Sequence, residues 1–132
     1  MKSEEVVSKL RAMKIEYAND RIGSNPATLP DHVTDFEAYV GILYSHYAEF
    51  MLKYRETEAK VLSEENDERD AANRSGGKRT VDEKNDRIAV RMAGLKGKRE
   101  WFEAELKGAT LHINTIQSKM KRQSDEAKGS IL

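Results

Sequence analysis

The chain has 132 residues, 38% of them hydrophobic and 35% charged, with a formal net charge of zero. It contains no cysteine, which excludes disulfides, thiolate catalysis and cysteine-based zinc sites. The N-terminal MKSEEVVSKL is charged and amphipathic, and no stretch approaches the roughly 20 consecutive apolar residues of a membrane span, so the expectation is a cytoplasmic protein with no membrane contact.

The first predicted element is a helix over residues 3–21. Ser3 stands as its N-cap, with Glu4 and Glu5 in the first turn, where the helix dipole favours acids. Val6, Leu10, Met13 and Tyr17 form its apolar stripe, and Gly23 is the stop signal. Residues 22–33 contain both prolines of the chain, Pro26 and Pro30, and read as an ordered loop.

A second helix is expected over residues 34–72, opened by a Thr34–Glu37 capping box. Its seam steps by threes and fours through Phe36, Val40, Leu43, Tyr47, Phe50, Tyr54, Thr57 and Val61. Residues 73–79 hold Gly76-Gly77 and read as a turn. A third helix over residues 80–126 starts at a Thr80–Glu83 capping box and runs to a short tail, 127–132. Its seam is Ile88, Met92, Leu95, Arg99, Phe102, Leu106, Ala109, Ile113, Ile116 and Met120. Unbroken steps of this kind give the 3.5-residue period of helices packed along a narrow apolar stripe.

Folding at the two glycines pairs the seams rung by rung, Val40 with Ile113, Tyr54 with Arg99 and Val61 with Met92. The predicted fold class is therefore all-α. It is a long antiparallel helical hairpin, or coiled coil, in one domain, with the short first helix packed near the open end. The two arms would be roughly 60 and 70 Å long. Arg99 over Tyr54 and Asn85 further along serve as polar rungs that set register.

Both arms carry apolar or small residues opposite the seam. Tyr44 and Met51 on the second helix, and Trp101, Gly108 and Leu111 on the third, form the candidate interaction surface. The short first helix covers part of it, and a second copy of the chain, in a homodimer, covers the rest.

Charge is unevenly divided. Residues 1–86 carry 13 Lys/Arg against 18 Asp/Glu, whereas residues 87–132 carry 10 against 5. An acidic arm compensating a basic one accounts for this division. The functional counterpart is nucleic-acid contact through Lys96, Lys98, Lys107, Lys119, Lys121 and Arg122.

Over residues 55–87 charge dominates, leaving little to bury, and this part is expected to project into solvent as a thin antiparallel coiled coil. Glu64-Glu65-Asn66-Asp67-Glu68 and Glu83-Lys84-Asn85-Asp86 resemble the acidic motifs of the MazG-type nucleoside-triphosphate pyrophosphohydrolases. That resemblance implies Mg²⁺ held by Glu64, Glu65, Glu68, Glu83 and Asp86, as the alternative to a solvated tip. The flanking Arg69, Asp70 and Arg87 depart from the apolar pocket such an enzyme needs. His46 and Glu49 share a helix face, and His112 lies about five residues from the rung opposite His46, so the histidines form no metal site by spacing.

The organisation also resembles small phage-encoded helical-hairpin proteins that accompany recombination and replication genes. The matching parts are the aromatic-rich helix (Tyr39, Tyr44, Tyr47, Phe50, Tyr54), the Thr80-Val81-Asp82-Glu83-Lys84 segment after the turn, Trp101-Phe102-Glu103-Ala104-Glu105-Leu106 and Ile116-Gln117-Ser118-Lys119. It implies a non-enzymatic interaction protein in the host cytoplasm, assisting DNA recombination or replication through protein partners and DNA. An inhibitor of a host or defence complex, of the anti-CRISPR kind, is the alternative. No catalytic residue, cofactor or small-molecule substrate is expected.

Overall fold

A computed structural model describes residues 1–19, 25 and 27–131, with the backbone alone for 130 and 131. The described residues form three helices, α1 (Ser3–Asn19), α2 (Leu29–Arg74) and α3 (Val81–Ile131). The long helices α2 and α3 pack against each other as an antiparallel hairpin, with α1 as the short N-terminal helix. The chain forms two compact units, one of residues 1–46 and 102–132 and the other of residues 47–101. No helix among the described residues is long and apolar enough to cross a membrane.

Both seams face inward along their full predicted length. Each of their residues is buried or half-buried, and Phe36, Leu43, Ala109 and Ile116 are fully enclosed. In the second unit the Arg99 guanidinium lies 5.4 Å from the Tyr54 ring, so that rung is a cation–π pair. Asn85 departs from its expected place in the seam and is exposed. Beside it Lys84 Nζ donates to Asn66 Oδ1 at 2.8 Å, and polar pairing takes over where apolar residues run out.

In the first unit α1 lays Val6, Val7, Leu10 and Met13 into the core. The Ser3 cap is corrected. Lys2 O accepts the first helical bond, from Val6 N at 3.1 Å, and Ser3 Oγ lies 2.8 Å from His46 Nδ1. A cross-helix partner, not the helix's own backbone, takes the hydroxyl. The stop assigned to Gly23, and the loop positions Ser24 and Pro26, fall outside the described residues.

The start of α2 is likewise corrected, from residue 34 to Leu29. Thr28 O accepts from His32 N at 3.1 Å, making Thr28 the cap, and Asn25 Oδ1 accepts from Ala27 N at 3.0 Å just before it. Pro30 therefore sits in the first turn, where a missing N–H removes no helical bond. Thr34 is interior, its hydroxyl donating to Pro30 O at 3.0 Å. The added turn is held by burial, because Leu29, Val33 and Ile116 form one apolar cluster against which Tyr17 and Met120 pack.

The turn between α2 and α3 uses its two glycines differently. Gly76 has φ +88°, the left-handed conformation that ends helices. Gly76 N donates to Asn73 O and Gly77 N to Ala72 O, the two bonds of a Schellman motif. A Cβ on Gly77 would stand 2.9 Å from Ala72 O, so close backbone approach demands glycine there as well. Asn73 Oδ1 then accepts from Arg79 N at 2.9 Å, and Arg69 Nε donates to Arg79 O at 3.1 Å. Thr80 caps α3 as expected, accepting from Glu83 N at 3.1 Å. At the other end α3 continues through Gly129 to Ile131, past the predicted stop at 126. Ala127 and Lys128 are good helix formers, and one glycine costs only about 1 kcal/mol of propensity.

Candidate interaction surfaces

The charged end of the second unit is built around a buried carboxylate. Glu65 falls one turn beyond Val61 on the inner face of α2, and its side chain is 1% exposed. Arg87 Nε donates to its Oε2 at 2.8 Å, and Arg91 Nη1 to its Oε1 at 3.2 Å. Each arginine also reaches a second acid, Arg87 to Glu68 at 2.9 Å and Arg91 to Glu64, while Arg79 stands 3.5 Å from Glu68. The Arg87 hydrogen bond holds the Glu65 carboxyl below its ordinary range against the opposing effect of burial, and Arg91 adds to it.

This arrangement bears on the five candidate Mg²⁺ ligands. From α3, Arg91 reaches Glu64 and Arg87 reaches Glu68, one on each flank of Glu65. Three of the five acids, Glu64, Glu65 and Glu68, have oxygens committed to guanidinium groups. Guanidinium neutralises the charge that a hard cation would need and occupies its coordinating oxygens. Glu83 and Asp86 are exposed on the first turns of α3. Little is buried in this stretch, as expected, but what is buried beyond Val61 is a charged side chain, Glu65, made tolerable by two cations.

In the first unit α1, α2 and α3 meet around two histidines. His32 Nε2 and His112 Nε2 are 3.1 Å apart. Tyr17 stacks on His32, with centroids 5.5 Å apart, and meets His112 edge-on at 5.1 Å. Phe36 stands 4.6 Å from His112. Burial lowers the His32 pKa, with Glu16 and Asp35 acting against it. Burial, His32 and Lys14 together push His112 down to about 4. Spacing alone does not reveal this pair, because the predicted loop over residues 22–33 gives His32 no helical register.

The predicted contact residues are dispersed. Tyr44 and Leu111 are outward-facing in the first unit, 49% and 58% exposed. Met51 and Trp101 are half-buried in the second. Gly108 is half-buried under α1, where Lys14 Nζ would lie 3.3 Å from a Cβ added to it, so α1 takes the close approach that this glycine permits. Leu52, Leu62 and Val90, which the periodicity did not single out, are 63%, 44% and 78% exposed in the second unit.

Among the candidate nucleic-acid contacts, Lys96, Lys98, Lys107, Lys121 and Arg122 are exposed and Lys119 is half-buried. Lys98 Nζ lies 5.7 Å from the Phe50 ring in the second unit, and Lys119 Nζ lies 5.8 Å from the Tyr17 ring in the first. From Leu106 to Ser124, α3 carries four cations and no acid. No known family, curated protein or solved structure matches the chain.

Proposed function

We propose that this chain is a non-enzymatic helical interaction protein that assists DNA recombination or replication by holding protein partners and DNA, as a homodimer. The observation that carries this reading is the division of apolar residues between core and surface. The seams are consumed inside each unit, yet Tyr44, Leu111, Leu52 and Val90 remain between 49% and 78% exposed. Large apolar side chains left on helices whose cores are already complete favour helix-on-helix contact with another chain.

Support for DNA contact comes from the cationic stretch of α3 in the first unit, where Lys107, Lys121 and Arg122 are exposed and no acidic residue intervenes. Lysine and arginine on phosphates bind independently of sequence and release counterions as they do so. The setting in recombination or replication rests on the resemblance to phage helical-hairpin proteins.

Sedimentation and single-strand binding test the two halves separately. Tyr44→Glu with Leu111→Glu is expected to shift a concentration-dependent dimer to monomer. Lys107→Glu with Lys121→Glu is expected to abolish binding of a labelled single-stranded oligonucleotide at low salt. A monomer at every concentration, together with no oligonucleotide binding at low salt, would overturn the proposal.

A further inference from the structure

In the first unit two imidazoles from different helices meet head-on. His32 lies in the first turn of α2 and His112 in the middle of α3, with their Nε2 atoms 3.1 Å apart. Tyr17, near the end of α1, stacks on His32 and meets His112 edge-on, and Phe36 stands 4.6 Å from His112. His32 is 7% exposed, so neither ring turns away without repacking its neighbours. The contact ties together the last turns of α1, the first turn of α2 and the middle of α3.

A nitrogen–nitrogen contact of this length holds one hydrogen, donated from Nε2 of one ring to the lone pair on Nε2 of the other. Neutral imidazole can fill either role, whereas imidazolium can only donate. A pair carrying one extra proton keeps the bond but encloses a cation. A pair carrying two sets N–H against N–H, and positive charge against positive charge, inside an aromatic wall. We propose that the His32–His112 contact is an acid-sensitive latch, which holds Tyr17 and the first turn of α2 against α3 at neutral pH and lets them part in mild acid as the rings take up protons.

Charged groups approach the pair from all three helices. Glu16 on α1 and Asp35 on α2 favour a proton on His32, Lys14 on α1 disfavours one on His112, and Lys119 on α3 lies over Tyr17. Burial outweighs the two acids at His32, and at His112 burial, His32 and Lys14 all act in one sense, so both rings resist protonation while the contact is closed. Once it opens, the rings meet water and return toward the ordinary value of 6.5. A histidine whose closed-state pKa lies below that value contributes stability that is complete above it and is lost as pH falls toward the closed-state value. Opening is therefore favoured increasingly as pH falls from 6.5 toward about 4. Val6, Val7 and Leu10 lie in the core nearer the start of α1, so the release is confined to the last turns of that helix and the first of α2.

The test follows amide exchange in the full chain from about pH 7.5 to about pH 5, corrected for the intrinsic exchange rate. Protection of residues 14–19 and 33–36 is expected to fall on the order of tenfold or more, while protection around Thr57 and Met92 holds. His32→Gln with His112→Gln removes both titrating rings and should abolish this pH dependence, whereas His46→Gln should retain it. Because losing packed rings can loosen the unit at every pH, the wild-type ring resonances give a second readout. Those of His32 and His112 should titrate below the ordinary 6.5 in the folded chain. Protection of residues 14–19 and 33–36 that is indifferent to pH would overturn the latch. So would an equal loss around Met92, a pH dependence that survives in the double variant, or folded-chain rings that titrate at the ordinary value.

Discussion

Glu65 accepts a 2.8 Å hydrogen bond from Arg87 Nε while its own side chain is 1% exposed and that of its partner 48%. The seam thus continues past Val61 in polar form, with an enclosed anion between two half-exposed cations. Removing one member of such a group leaves its partners uncompensated, whereas replacing the group with apolar residues can be neutral or better. Glu65→Ala should therefore lower the urea midpoint more than Glu64→Ala or Glu68→Ala. Glu65→Leu combined with Arg87→Leu should recover part of that loss. Equal midpoints for all three alanine variants would show that the enclosed carboxylate contributes nothing special.

The same contact sets an acid sensitivity. The folded state holds the Glu65 pKa below its ordinary value of 4.5, chiefly through the Arg87 hydrogen bond. A carboxylate with a depressed folded pKa contributes stability that is complete above the ordinary value. That stability is lost as pH falls through the folded one. Unfolding free energy measured from pH 6 downward should decline below about pH 4.5, and Glu65→Gln should flatten that decline. A profile in the variant parallel to wild type would assign the acid sensitivity to other groups.

The two turn glycines should fail for different reasons. Gly76→Ala places a Cβ in the left-handed region at φ +88° and should cost about 1–2 kcal/mol. Gly76→Asn should cost less, because asparagine tolerates that conformation. Gly77→Ala drives a Cβ against Ala72 O and should break the bond that Gly77 N makes there, so its loss should not be relieved by any other side chain. Equilibrium unfolding of these variants checks both the order and the contrast.

Ile116 is fully buried against Leu29 and Val33. Ile116→Ala should cost about 2–5 kcal/mol by lost burial and the cavity left behind. The loss should be felt locally as well, because this contact holds the proline-bearing first turn of α2. Amide exchange of residues 31–34 should accelerate in the variant while protection around Thr57 and Met92 stays near wild type. Uniform acceleration would mean that the first turn has no local dependence on Ile116.

The hairpin was legible because one period governs both arms and the glycines fix where it reverses. Tyr54 and Arg99 could be paired by counting from Gly76-Gly77, and they lie together. The errors have local causes. Thr34–Glu37 imitates a cap, but Thr28 with Pro30 starts the helix earlier, and the burial of Leu29 that favours this is a tertiary effect. Ser3 looks like a cap from sequence alone, since nothing in the local chain reveals that His46 stands beside it. Glu65 reads as solvated because its type is charged, although its position, four residues after Val61, falls on the inner face. Complementary arginines at Arg87 and Arg91, spaced by four on the facing helix, are the signal that would have found it.

The clamp at the turn constrains how a chain of this kind can vary in length. Asn73 and Arg69 bind opposite sides of Arg79, tying the start of the returning strand of chain to the last turns of the outgoing helix. With the reversal fixed, a deletion of one residue in either arm rotates everything beyond it by about 100° and turns its buried face outward. The length changes that keep both seams in phase without local over- or unwinding are matched heptads, seven residues lost or gained on each arm together. Variants of this hairpin should therefore differ by multiples of about fourteen residues, with their turns intact.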